Sequence, residues 1–318
     1  MDEFIDVSEN NNEEQEFSIL ERYGEDLTKK TYVTNPAIAR DEEIKSLMLV
    51  LLTPDKSAVL TGKAGIGKTA IVEGLAYKIQ NNDVPDALKD YTIIDIATSS
   101  LLGESVSDGE RDSRIQLLVQ EVIKKDKVIL FIDEIHTLMG AGAKTGSSLD
   151  FANILKPALA RGNVKLIGAT TSEEYERYML RDRAFIRRFE KIEIEEPDIP
   201  TTVKIMMGTY PKMEKKTGVK INYTHYIIER IFTFLVEMTS EYKRLYEISS
   251  RYPDISLALL QKIFSYAVFD NEKEVKMKHV WLGIKNCNSI YPDTLQKEII
   301  RFKSEFEDLL KEEQVLTN

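Results

Sequence analysis

The chain has 318 residues, 42% apolar and 30% charged, with one cysteine, Cys287, and a formal net charge of −10. That length accommodates a large domain and a smaller one, each able to bury a core, while the lone cysteine excludes an intrachain disulfide and fits a reducing, cytoplasmic compartment. The acidic balance argues against broad wrapping of nucleic acid, and the longest apolar run, "LMLVLL" at 47–52, is too short to span a membrane.

Residues 1–19, opening "MDEFIDVSENNNEEQE", are acidic and offer too little apolar surface to offset ordering, so they predict a disordered tail without a secretory signal. Further on, short β-branched runs alternate with helical periodicity. Strands are predicted at "AVLT" (58–61), "YTIIDIA" (91–97), "VILFID" (128–133), "VKLIGAT" (164–170) and "FEKIEIE" (189–195). The middle three are nearly continuously apolar, as strands covered on both faces are. Between strands, Ile71, Val72, Leu75, Ala76 and Ile79 share one helix face, and Ile115, Leu118, Val119, Val122 and Ile123 share another. The alternation predicts an α/β domain over 20–196, a parallel sheet flanked by helices.

Past the proline-marked break "EEPDIP" (195–200) the periodicity is helical, predicting a small helical domain over 197–285 with Tyr226, Phe232, Phe234 and Tyr266 in its core. Residues 286–318 carry an amphipathic helix whose Leu295, Ile299, Phe302, Phe306 and Leu309 need a partner surface, whether as a coiled-coil fragment, a lid or part of the core.

Chemistry concentrates where the first strand meets its helix. "GKAGIGKT", running Gly62, Lys63, Ala64, Gly65, Ile66, Gly67, Lys68, Thr69, matches G-x-x-x-x-G-K-[ST]. Glycines let the backbone curl so that successive N–H groups face a phosphate; Lys68 adds a point charge and Thr69 a hydroxyl ligand for Mg2+. "VILFIDE" then ends an apolar strand on Asp133, a second Mg2+ ligand through water, and Glu134, the general base for the attacking water. ATP and Mg2+ are the expected substrate and cofactor. Thr171, in "GATT" (168–171), is either a hydroxyl donor to the γ-phosphate or a helix cap, since Glu174 follows at capping-box spacing. By themselves Arg187 and Arg188, in "FIRRFE", read as a solvated charge pair. His136, His225, His279 and Cys287 lack partners at ligand or nucleophile spacing and read as packed or surface residues.

With these elements in order, the chain resembles the first nucleotide-binding module of the ClpA/ClpB-type AAA+ unfoldases and disaggregases over about 20–285. "LERYGEDLT" (20–28), "NPAIARDEEI" (35–44), "GKTAIVEGLAYKIQNNDVPDALKD" (67–90), "ILFIDEIHTLMGAG" (129–142), "NILKPALARG" (153–162), "GATTSEEYERY" (168–178) and "RRFEKIEIEEP" (187–197) carry the likeness. The resemblance implies a hexameric ring, adenine contacts near Ile38, Thr171 as the sensor of the γ-phosphate, and Arg187 and Arg188 as fingers entering the neighbouring subunit's site. It also implies a protein client and chaperone-like remodelling.

Several positions depart from the family pattern. Ala64 replaces a proline, Ala39 a glycine and Ile255 a lysine, and the segment around "SEYKRLYEISS" is longer than usual. Val106, Ser107, Asp108 and Gly109 stand where the family's first pore loop carries lysine, tyrosine, arginine and glycine; the second, within 139–150, retains Met139 and Lys144. Serine beside aspartate offers no aromatic grip on a polypeptide. The expected function is therefore an ATP-hydrolysing remodeller with an altered pore loop. The alternatives are a regulatory or scaffold subunit, joining mixed rings with a fuller homologue, and a nucleic-acid remodeller, which the acidic balance disfavours.

Overall fold

A computed structural model describes residues 18–102, 108–140, 151–162, 164–246 and 250–316. The expected acidic tail lies almost wholly outside the described residues. So do Val106 and Ser107, expected in a first pore loop, and Lys144, expected in a second.

Every predicted strand is present: β2 (Ser57–Thr61), β3 (Thr92–Ile96), β4 (Val128–Ile132), β5 (Lys165–Thr170) and β6 (Phe189–Glu193). A sixth, β1 (Gly24–Asp26), joins at the edge, giving the order β1-β3-β4-β5-β2-β6. All pairs are parallel except β1 with β3, where Gly24 lies opposite Ile96. The sheet is thus largely parallel with one antiparallel edge. Three residues are too few to show a period of two, which is why β1 leaves no signal in the sequence.

Alternation of side chains sorts the apolar strands between two layers. Ile129 and Phe131 of β4 face α1 (Asp41–Leu52) and α2 (Lys68–Gln80), which contribute Ile44, Leu47, Ile71, Val72 and Leu75. Leu130 and Ile132 face α3 (Asp108–Lys124) and α4 (Phe151–Ala160), which contribute Leu118, Val122, Leu155 and Leu159. Ile123, expected on the inner face of α3, is exposed. No helix among the described residues is long and apolar enough to cross a membrane.

After β6 the chain turns helical at α5 (Ile199–Thr217). Asp198 starts that helix by accepting from the Thr201 amide at 2.8 Å, and Gly218, in the left-handed region at φ 72°, ends it. α6 (His225–Met238), α7 (Asp254–Phe269) and α8 (Met277–Lys285) build a third core around Phe232, Phe234, Phe264 and Trp281. Tyr226 points outward from α6 instead of joining it.

The last helices, α9 (Pro292–Glu305) and α10 (Glu307–Glu312), pack into this core. Phe302 is fully buried, with ring centroids 5.3 Å from Phe234, 4.9 Å from Phe306 and 6.2 Å from Trp281. Phe302→Ala is expected to lower the unfolding free energy by about 3–5 kcal/mol, through lost burial and a residual cavity. Urea denaturation monitored at Trp281 measures this, and a change within experimental error would show that α9 contributes nothing to the helical core.

Candidate active site

The loop between β2 and α2 curls through two left-handed glycines, Gly65 at φ 78° and Gly67 at φ 98°. Gly67 caps α2 without supplying a side chain, so the first-turn N–H groups and the positive helix end point outward. Lys68 Nζ folds back over the loop and donates to the carbonyls of Gly62 (2.9 Å) and Lys63 (3.0 Å). Burial lowers its pKa, opposed by the charges of Asp133, Glu174 and Glu134. An incoming anion would stabilise the same ammonium.

Asp133 leaves the carboxyl end of β4 and joins the two loops. Its Oδ2 accepts from Thr69 Oγ1 at 2.8 Å and its Oδ1 from the Glu134 amide at 2.9 Å. Glu134 takes a left-handed backbone, φ 49°, and its side chain is exposed. Thr69 and Asp133 form a hard oxygen pair suited to Mg2+, an ion that keeps waters and phosphate oxygens among its ligands. Among the described residues no group of three His, Cys, Asp or Glu side chains forms a complete protein cage.

Ala64, Gly65, Gly67, Lys68, Thr69, Asp133, Glu134 and Thr171 line one cleft of about 650 Å³. Asn35 and Pro36 wall another side, and Ile205 and Thr209 of α5 with Asp254 of α7 close it from the helical side. Gly62 and Lys63 line an adjoining depression, while Ile66 is buried in the α1–α2 layer. The side chain of Ile38 packs away from the loop, onto α5. It lies against Gly208, where an added Cβ would come within 2.1 Å of Ile38 Cδ1. Ile255 is also turned away, into the helical core.

Thr171 forms the capping box its spacing suggested: its hydroxyl donates to Glu174 Oε2 at 2.8 Å, and the Glu174 amide lies 3.2 Å from Thr171 Oγ1. Arg187 and Arg188 lie at the other end of the sheet. The Arg188 carbonyl accepts from the Ser57 amide (2.8 Å), at the start of β2, and the Arg187 carbonyl from Lys56 Nζ (3.0 Å). A five-residue strand, about 17 Å at its usual rise, separates that point from the phosphate loop. The Arg pair and the cleft of one chain are therefore apart.

Several contributors are not apparent from local sequence pattern. Arg40, 6% exposed, donates through Nη2 to the carbonyls of Ile66 (2.9 Å) and Glu195 (3.2 Å) and pairs with Glu43 (2.6 Å), bracing the loop from behind. His136, set aside on spacing, lies 3.0 Å from Thr170 Oγ1 and 3.2 Å from Glu174 Oε2. Asp95 on β3 is half-buried; burial, then the charges of Asp133 and Glu25, raise its pKa to about 6 against the opposing effect of Lys30.

A family model described as "ATPase family associated with various cellular activities (AAA)" matches residues 58–195. The chaperone protein ClpB of Lactiplantibacillus plantarum is 38% identical over 306 residues, 95% of this chain and 32% of that protein. ClpB of Enterococcus faecalis is 46% identical over 215 residues, 66% of this chain and 25% of that protein. Among solved structures, an ADP complex of Hsp104 from S. cerevisiae superposes with a TM-score of 0.70 at 31% identity, covering 91% of this chain and 49% of that one. A casein complex of S. cerevisiae Hsp104 gives 0.68 at 36% identity, covering 81% and 43%.

Residues 58–195 are thus a domain of the AAA ATPase family. Within that family the chain is a homologue of ClpB, and its fold is that of the matched part of Hsp104. It spans a quarter to a third of the length of the ClpB relatives described.

The raised pKa of Asp95 has a testable sign. Its folded value, about 6, lies above the ordinary 3.8, so the folded state binds the proton more tightly. Stability falls as pH rises between those values, and the penalty is full above the folded one. Asp95→Asn is expected to raise the thermal midpoint relative to wild type at about pH 8, with the gap closing towards about pH 4. A gap independent of pH would rule out ionisation of Asp95 as its source.

Proposed function

We propose that the chain binds ATP with Mg2+ in the cleft and hydrolyses it. The observation that carries this reading is the Thr69–Asp133 contact directly beneath the open amino end of α2, with Lys68 over the loop. The loop amides and Lys68 hold the β- and γ-phosphates. Thr69 and Asp133 hold Mg2+, which when bound offsets phosphate charge. Glu134 takes the proton of the attacking water as general base, and Thr171 donates its hydroxyl to the γ-phosphate. Asn35, Pro36 and the faces of α5 and α7 enclose the nucleoside.

We further infer assembly into a ring, six-membered as in the family it resembles, in which Arg187 and Arg188 serve the site of the next copy. Their distance from the cleft of their own chain supports this. The proposed work is chaperone-like remodelling of a protein client. Val106, Ser107, Asp108 and Gly109 in place of an aromatic loop support a weakened or specialised grip.

Glu134→Gln is expected to cut ATP turnover by about 10²–10⁴-fold while nucleotide still binds. Arg188→Ala is expected to cut turnover by about 10³-fold or more in the assembled state, at unchanged affinity. Steady-state ATPase assays, equilibrium nucleotide binding and sedimentation on the same preparations separate these outcomes. Unchanged turnover in Glu134→Gln removes the assigned base; unchanged turnover in assembled Arg188→Ala removes that finger.

A further inference from the structure

At the sensor end of the cleft, several polar groups converge on one oxygen. Glu174 Oε2 accepts from Thr171 Oγ1 (2.8 Å) and the Thr171 amide (3.2 Å), and lies 3.3 Å from Thr170 Oγ1 and 3.2 Å from His136 Nδ1. A carboxylate oxygen offers about two lone-pair directions, so this oxygen is oversubscribed. His136 also lies 3.0 Å from Thr170 Oγ1 and stacks on Tyr178 at 5.9 Å between ring centroids. It can keep a partner when the set rearranges. Thr170 and Thr171 both line the cleft that holds Lys68 and Glu134, but Thr170 is buried and has His136 as a second neighbour, so the partly exposed Thr171 hydroxyl is the member with another prospect.

A hydroxyl has a single proton to donate. While that proton is on Glu174, the Thr171 hydroxyl cannot donate to a phosphate oxygen. We propose that Glu174 is a latch on Thr171, a positioning residue that holds the hydroxyl when no terminal phosphate is present and yields it when one arrives. This rests on the reading in which Thr171 contacts the γ-phosphate. Loss of the hydroxyl leaves Glu174 Oε2 with the Thr171 amide and the His136–Thr170 pair. The latch makes ATP exchange one hydrogen bond for another, whereas ADP, lacking the γ-phosphate, leaves it closed. Glu174 therefore restrains the preference for ATP over ADP.

The test uses the full chain and two probes, ADP and the non-hydrolysable analogue AMP-PNP, and reads the ratio of their dissociation constants by calorimetry. Glu174→Ala is expected to shift this ratio towards AMP-PNP by about tenfold, the size of one hydrogen bond to a charged acceptor. Glu174→Gln, which retains the shape and an acceptor for the cap, is expected to shift it in the same direction by about two- to threefold, and serves if the alanine variant does not fold. In the Glu174→Ala background, where no latch competes for the hydroxyl, adding Thr171→Val is expected to shift the ratio towards ADP by about tenfold, and with Val at 171 the Glu174 substitutions are expected to have no effect on it.

Equal changes for both probes, or a Glu174 effect that persists with Val at 171, would overturn the latch. The first outcome would mean a merely structural cap, and the second direct repulsion between carboxylate and phosphate. An unchanged ratio on adding Thr171→Val to Glu174→Ala would instead overturn the assignment of Thr171 to the γ-phosphate.

Discussion

Parallel pairing of β4, β5 and β2 is the constraint on which the candidate site depends. Ile132 lies opposite Gly168, and Thr61 opposite Thr170, so all three strands end at one edge of the sheet. Asp133, Thr171 and Gly62 are the next residues along their strands and so emerge together. A shift of one residue would turn each side chain to the other face and send Asp133 away from Thr69. That register is held by two apolar layers, because Ile129 and Phe131 pack one way and Leu130 and Ile132 the other. The chemistry of the edge thus rests on burial well away from it.

The helical part is joined to this edge through a few polar contacts. Glu196 Oε1, just past β6, accepts from Arg244 Nη1 at 2.7 Å and the Tyr252 amide at 2.9 Å. Arg244 is 4% exposed, and its guanidinium lies over the Tyr252 ring at 4.2 Å. Such a charged bond is costly to break from the Glu196 side, because Arg244 would be left buried without its counter-charge. Next to it, Asp254 at the start of α7 comes so close to Gly65 that an added Cβ would lie 2.9 Å from Asp254 Cβ. The phosphate loop and the first turn of α7 therefore share one space. Any group that widens the loop must also displace the helix.

Much of the fold was legible because the signals are local. A strand covered on both faces must be free of polar side chains along its middle, and β2 at Ala58–Leu60, β4 at Val128–Ile132 and β5 at Leu166–Ala169 are. A loop that turns its amides to a phosphate needs glycine where φ is positive, and Gly65 and Gly67 supply it. The less legible features depend on distant partners. The Ile38 side chain has no partner in its own stretch of sequence, and Gly208, 170 positions later, takes it up. Arg40 looks like any surface arginine until the carbonyls of Ile66 and Glu195 meet it in the interior. The helix carrying Phe302 declares an apolar face but not its partner, which turns out to include Phe234 and Trp281.

By itself, then, the sequence determined the chemical inventory: a glycine-rich loop with Lys68 and Thr69, the acid pair Asp133 and Glu134, and the alternation that makes a parallel sheet. These are properties of neighbours along the chain, governed by backbone conformation and periodicity. Only the tertiary structure decided which groups meet. Thr171 could cap a helix or face the cleft on sequence grounds; folded, it does both, with Glu174 and His136 beside it. A hydrogen bond is governed by distances of a few tenths of an ångström, and those are set by packing among residues far apart in the chain.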